Sequence, residues 1–145
     1  MISLTVQGLD ALEGRFNDIP KDMAKEIRKA VNQSVLMVKA TAVRSIRDLS
    51  PGRTYRLENR VHVASRAGDA PNTDTGNLIR NIRVSTAEGN LLKGYSAEVK
   101  AITPYAMRLE YGQGKVKARP FMRPALNKNK AKIRQLITKA VKKSI

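Results

Sequence analysis

Residues 20–52, PKDMAKEIRKAVNQSVLMVKATAVRSIRDLSPG, place Met23, Ile27, Val31, Val35, Val38, Ala42 and Ile46 three or four positions apart. That spacing lines them along one side of an α-helix about seven turns long. Lys21, Lys25, Arg28, Lys29, Lys39, Arg44 and Arg47 lie mostly off the stripe. Asn17 or Asp18 can cap the start, with Pro20 in the first turn, and Ser50-Pro51-Gly52 stops the helix. At roughly 1.5 Å per residue the helix would be about 40 Å long, more than a compact domain of this size needs. Part of the stripe is therefore expected to meet another subunit.

Working outward, Ile2, Leu4 and Val6 alternate with Ser3, Thr5 and Gln7, a strand pattern ended by Gly8. Leu9, Leu12 and Phe16 then fall at helical spacing in a short amphipathic turn or two. After the long helix, residues 53–72 scatter charges among few apolar side chains. Val61 and Val63 suit a short strand there, and a mobile loop or arm fits equally. Asp74 reads as the N-cap of a short helix holding Leu78, Ile79 and Ile82, its carboxylate accepting the amides of Gly76 and Asn77. A strand from Ile82 to Ala87 leads to a turn at Glu88-Gly89-Asn90. Tyr95, Ala97, Val99 and Ala101 then alternate with Ser96, Glu98, Lys100 and Ile102. Pro104 opens a short helix with Tyr105, Arg108 and Leu109, which Gly112 ends. Gly112-Gln113-Gly114 begins a flexible basic loop, and Pro124 sits at the start of a last helix running through Leu126, Asn129, Ile133, Leu136, Ile137, Ala140 and Val141. The prediction is an α+β fold: a long N-terminal helix and a C-terminal helix packed on a small, mostly antiparallel sheet, in one domain over residues 1–145.

Charge narrows the company this chain keeps. It has 28 Lys and Arg against 12 Asp and Glu, a formal charge of +16 over 145 residues. Beyond Glu110 eleven basic side chains follow with no acidic one. Such a surface repels itself, so a polyanion or an oppositely charged protein surface is expected nearby. The basic last helix has three readings: a solvated face, a surface near DNA, or a dock for an acidic protein. Four Tyr, two Phe and no Trp supply little stacking surface for single strands. Without cysteine there is no disulfide, thiolate or Cys-based zinc chemistry. Residues 1–8 are too short and polar for a signal peptide, and no apolar run approaches the roughly 20 residues that span a bilayer. The expectation is a soluble protein working inside a cell or in a particle assembled there.

Candidate chemistry is thin. His62 is the only histidine and has no Ser, Cys or carboxylate in recognisable register, so it reads as a strand or loop residue. Glu98 and Lys100, on one face of a strand, could serve a metal-dependent nuclease if Asp69 or Asp74 converged on them. That Glu-x-Lys spacing also arises on the wet face of any amphipathic strand. Gly112-Gln113-Gly114-Lys115 lacks the spacing of a phosphate-binding loop. No segment reads as a helix-turn-helix or zinc finger. No catalytic residue, cofactor or metal is expected.

Three ordered segments carry a resemblance. Residues 70–82, APNTDTGNLIRNI, are similar to the P-x-x-D-T-G-x-L-x-x-S-I stretch of the neck and tail-completion (head–tail joining, minor tail protein Z-like) proteins of long-tailed bacteriophages. Tyr105-Ala106 through Leu109-Glu110-Tyr111-Gly112 resembles that family's Y-A-x-x-x-E-x-G. Residues 118–126, ARPFMRPAL, resemble its A-R-P-F-[LM]-x-P-A-[LF]. Asn81 departs from the pattern, where the family often has Ser.

The resemblance implies a structural virion protein at the head–tail neck or tail top, assembled in the host cytoplasm, and no catalysis. It implies a homo-oligomeric ring, with six copies expected, around the channel for genomic double-stranded DNA. The implied neighbours are head-closure and tail-terminator type proteins, with no membrane partner. Lys115, Lys117, Arg119 and Arg123 are then candidate channel or inter-ring contacts. The prolines of Arg119-Pro120 and Arg123-Pro124 force the preceding residues toward extended backbone, a bracket presenting Phe121 and Met122 as core or subunit-interface anchors. The alternative is a basic, non-sequence-specific nucleic-acid-binding protein.

Overall fold

A computed structural model describes residues 1–8 and 21–144. The elements are β1 (Ile2–Gly8), α1 (Lys21–Arg47), β2 (Gly52–Leu57), β3 (Arg60–Ser65), α2 (Asn77–Arg80), β4 (Ile82–Val84), β5 (Glu88–Asn90), β6 (Gly94–Ala101), α3 (Ala106–Tyr111) and α4 (Met122–Lys143). The fold is α+β, as predicted. The expected turn at Leu9, Leu12 and Phe16, the Asn17 or Asp18 cap and Pro20 lie outside the described residues.

β6 is the centre of the main sheet. β1 pairs antiparallel along its whole length, from Ile2 opposite Ala101 to Gly8 opposite Tyr95. β4 and β5 share its other edge, opposite 99–101 and 94–96 respectively. Alternation along β6 buries Tyr95, Ala97, Val99 and Ala101 and leaves Ser96, Glu98 and Lys100 half-exposed. The two alanines and the valine keep that face shallow, so α1 seats closely on it.

The single edge strand expected over 82–87 is broken, because the chain steps inward. The Ser85 amide still reaches the Glu98 carbonyl at 2.9 Å, but the Ala87 amide donates to Asn32 Oδ1 of α1 at 2.6 Å, and Ala87 is fully buried. Glu88-Gly89-Asn90, expected as the turn, resumes pairing as β5. The turn falls at Leu91–Lys93 instead, where Asn90 Oδ1 accepts the amides of Leu92 and Lys93 at 3.0 and 2.9 Å.

All seven stripe residues of α1 are buried within this one chain. The expectation that part of the stripe serves another subunit is thereby corrected: α4 covers α1 where the sheet does not. Ile133, Ile137 and Ala140 of α4 join the same core, and Asn129 Nδ2 bonds Thr41 Oγ1 of α1 at 2.8 Å. Each fully buried Val or Ile contributes about 1.5–3 kcal/mol. At the far end Lys143 Nζ lies 3.1 Å from Glu26 Oε2. That hydrogen bond, helped by the charges of Lys143, Lys29 and Lys25, holds the Glu26 carboxyl below its ordinary value despite desolvation. Because the folded value is the lower one, its stabilisation is present above the ordinary carboxylate range and lost as pH falls through the lowered value.

Residues 53–72, read as a loop or arm with at most a short strand, contain a regular hairpin. β2 and β3 pair from Gly52 opposite Ser65 to Leu57 opposite Arg60, joined by Glu58 and Asn59. All six β2 residues are exposed, so neither face had to be apolar, and the usual alternation is missing. Asn72 anchors the base: its Oδ1 accepts the Ser50 amide at 2.8 Å, and its Nδ2 donates to the carbonyls of Ser50 and Val63 at 2.7 and 2.8 Å. An isolated two-stranded hairpin is marginal in water, so this anchor matters. Asn72→Ala should speed amide exchange in β2 and β3 about tenfold while α1 is unchanged, the local loss being about 1–2 kcal/mol. Unchanged hairpin exchange would assign the anchoring elsewhere.

Candidate functional site

The site is built where the hairpin base, α3 and the start of α4 meet. α3 buries Ala106 and Glu110, one turn apart, and exposes Met107 and Tyr111. Gly112 then turns the chain with φ 75°, and a Cβ there would lie 2.9 Å from both Ala118 N and Val116 O. Only glycine admits that approach. The segment expected as a flexible basic loop is a closed turn, in which Gln113 and Val116 exchange amide–carbonyl bonds of 2.9 and 3.0 Å. Lys115 and Lys117 project from it, exposed, with no ion pair or side-chain hydrogen bond among the described residues.

Glu110 is the central residue. It is fully buried, and its carboxylate accepts the amides of Phe121 and Met122 at Oε2 (2.9 and 3.0 Å) and of Arg123 at Oε1 (2.8 Å). These are the first amides of α4, which have no partner inside the helix. The next residue, Pro124, has no N–H to satisfy. One carboxylate thus serves every free donor of the helix start while facing the positive end of its dipole. Arg123 Nε, 3.4 Å from Oε1, adds charge compensation, and its guanidinium stacks over the Tyr111 ring at 4.8 Å. Composition gave one hint of this role: Glu110 is the last acidic residue before a wholly basic tail.

The four candidate cations divide. Lys115 and Lys117 are free to meet a partner. Arg119 is drawn inward: its amide donates to Leu109 O at 2.6 Å, Nε to Ser65 O at 3.0 Å and Nη1 to Lys117 O at 3.4 Å. With Gly68 N donating to Ala118 O at 2.8 Å, it ties the hairpin and α3 to the segment leading into α4. The extended bracket expected at both prolines is not formed, because Arg123 lies within α4 and only Arg119 precedes it. Arg123 is exposed but engaged by Glu110 and Tyr111. Phe121, 1% exposed, and Met122, fully buried, fill this chain's own core, and Phe121 is the largest fully buried side chain among the described residues. Of the two roles open to them, this placement is the core one.

Asp74 is not the cap it was expected to be. α2 starts after Gly76, whose φ of 74° is left-handed, and the amide of its first residue, Asn77, donates to Thr75 Oγ1 at 3.4 Å rather than to Asp74. Gly76 carries the chain in an orientation that leaves Asp74 facing the hairpin, where Oδ2 accepts from Arg60 Nη2 at 2.9 Å and Oδ1 lies 3.8 Å from His62 Nδ1. Ile82, assigned to the same helix, belongs to β4. Asp74, His62, Tyr55, Tyr105, Asn72 and Arg119 line a cleft of about 580 Å³ between hairpin and α3. His62 makes no hydrogen bond to a hydroxyl among the described residues; its near neighbour is the Asp74 carboxylate. Glu98 pairs with Lys100 on the outer sheet face, and Asp69 accepts from Ser50 Oγ. No group of three or more His, Asp or Glu is gathered for a metal among the described residues, and no described helix is long and apolar enough to cross a membrane.

No protein-family model, no curated protein and no solved structure matches the chain.

Proposed function

We propose that this chain is a structural component of the head–tail junction of a long-tailed bacteriophage. It would be a neck or tail-completion protein whose copies, six by resemblance, close into a ring around the DNA channel and join head-closure and tail-terminator type rings. The observation that supports this best is the use made of the ordered motifs between residues 70 and 126. Their distinctive residues serve architecture: Gly76 and Gly112 turn the backbone, Asn72 anchors the hairpin, Glu110 caps α4, and Phe121 and Met122 fill the core. Lys115 and Lys117 project, exposed, from the closed turn that follows Gly112. A charge of +16 per copy around one axis needs anionic neighbours to screen it, and channel DNA or acidic adjoining rings meet that need.

Two measurements test the reading. Light scattering and electron microscopy of the purified protein, alone and with its neck and tail partners, should show closed rings. Lys115→Glu with Lys117→Glu should leave the isolated fold intact but reduce joining of heads to tails, counted as infectious yield. Normal yield from the double variant would remove the loop from the junction. A persistent monomer that never joins a particle would favour the second reading, a basic nucleic-acid-binding protein, which draws on the eight exposed Lys and Arg of α4.

A further inference from the structure

The outer surface of α4 is ordered beyond being basic. With about 3.6 residues per turn, its side chains fall into four strips along the helix. Met122, Ala125, Asn129, Ile133, Ile137 and Ala140 are buried against α1 and the sheet. Lys128, Lys132 and Lys139 form a row on one flank, continued by Lys143, which reaches back to Glu26. Lys130 and Arg134 form a row on the opposite flank, continued by Arg123. Between the rows, directly opposite the core, runs an exposed ridge of Asn127, Ala131, Gln135 and Thr138, small or neutral over three turns, before Lys142 ends it. The 22 residues of α4 include no Asp or Glu.

A face that merely kept the protein soluble would place charge along the ridge, where hydration is best. Here the ridge is uncharged, and each row sits roughly 80° to one side of it. We infer that α4 seats lengthwise in the major groove of duplex nucleic acid, the ridge entering the groove and each basic row meeting the phosphates of one strand. The dimensions agree: a helix with side chains is about 10–12 Å across and the major groove of B-form DNA about 12 Å wide. Ala131 and Thr138 allow close approach. Asn127 and Gln135 carry amides able to face base edges of any sequence without a fixed register. The rows supply affinity through counterion release. An acidic protein surface would be served as well by a charged ridge, so the observations favour the duplex. The inference goes beyond the ring and requires neither oligomerisation nor other particle components.

The test is fluorescence anisotropy of a labelled 20-base-pair duplex of mixed sequence, titrated with the full chain at several salt concentrations, with light scattering run alongside. If Lys128, Lys132, Lys139, Lys130 and Arg134 each meet one phosphate, log K against log salt should slope at about −4.5. K128Q/K132Q/K139Q should reduce that slope by about 2.7, and K130Q/R134Q by about 1.8. R53Q/R56Q, which removes two charges from the exposed hairpin as K130Q/R134Q does from α4, should leave it unchanged. Ala131→Glu, which puts a carboxylate on the ridge and keeps the helix, should weaken binding at least tenfold. The matching single strand should bind more weakly than the duplex. Slopes indifferent to either row, an Ala131→Glu variant that binds as before, equal binding of the single strand, or preference for a polyglutamate probe over the duplex would each overturn the inference. Far-UV circular dichroism of each variant confirms that the helix is retained. Ring formation is scored independently in the scattering data, so either idea can fail while the other stands.

Discussion

Glu110→Ala should destabilise the isolated chain by about 3–5 kcal/mol, the range expected when one partner is removed from a buried, charge-assisted network. Three amides at the start of α4 would lose their acceptor at once. Each buried donor left without a partner costs about 1–3 kcal/mol. Water entering the space left by the carboxylate, and fraying of the first turn, would recover part of this. Small domains have total stabilities of about 5–15 kcal/mol, so the loss takes a large share of the whole. Urea unfolding followed by circular dichroism is the direct measurement. Glu110→Gln is the informative companion: it keeps one acceptor oxygen but sets an NH₂ group against amide donors, so its loss should fall between wild type and alanine. If the alanine variant unfolds within about 0.5 kcal/mol of wild type, the carboxylate is not what organises the start of α4.

Phe121→Ala should cost about 3–5 kcal/mol, the range for truncating a buried Phe. The two substitutions act on one junction by different means, because Phe121 fills volume while its own amide is one of the donors Glu110 accepts. They are in contact, so the double variant should lose less than the sum of the singles. The measurement also separates the two anchor roles. A core residue destabilises the isolated subunit, as expected from 1% exposure. A Phe121→Ala subunit as stable as wild type that fails only in assembly would place the ring at an interface and contradict its burial here.

Legibility followed the reach of the forces involved. The register of β6 was readable because one sheet face is covered and the other is wet, which writes a period of two into the chain. The hairpin was not, since no face of β2 is buried and its placement depends on Asn72, nine residues beyond the Val63 carbonyl it binds. Asp74 misled because an Asp ahead of a short helix ordinarily caps it. Its actual partners, Arg60 and His62, come to it through the hairpin's position. The strand expected at Ile82–Ala87 was cut by Asn32, a residue 55 positions away on α1. Among the candidate cations, sequence could not separate the free Lys115 and Lys117 from Arg119, whose bond to Ser65 O spans 54 residues.

The amino-acid order alone determined what is periodic or cumulative: two long amphipathic helices, the alternating central strand, the stops at Gly and Pro, and an excess of positive charge that no folding can hide. Such features follow from local geometry and summed charge, which need no knowledge of the rest of the chain. Tertiary structure alone decided which polar groups find one another across it. It sent Glu110 to the free amides of α4, turned Asp74 toward the hairpin and drew Arg119 inward, because a buried donor or acceptor must be satisfied by whatever group packing brings within about 3 Å.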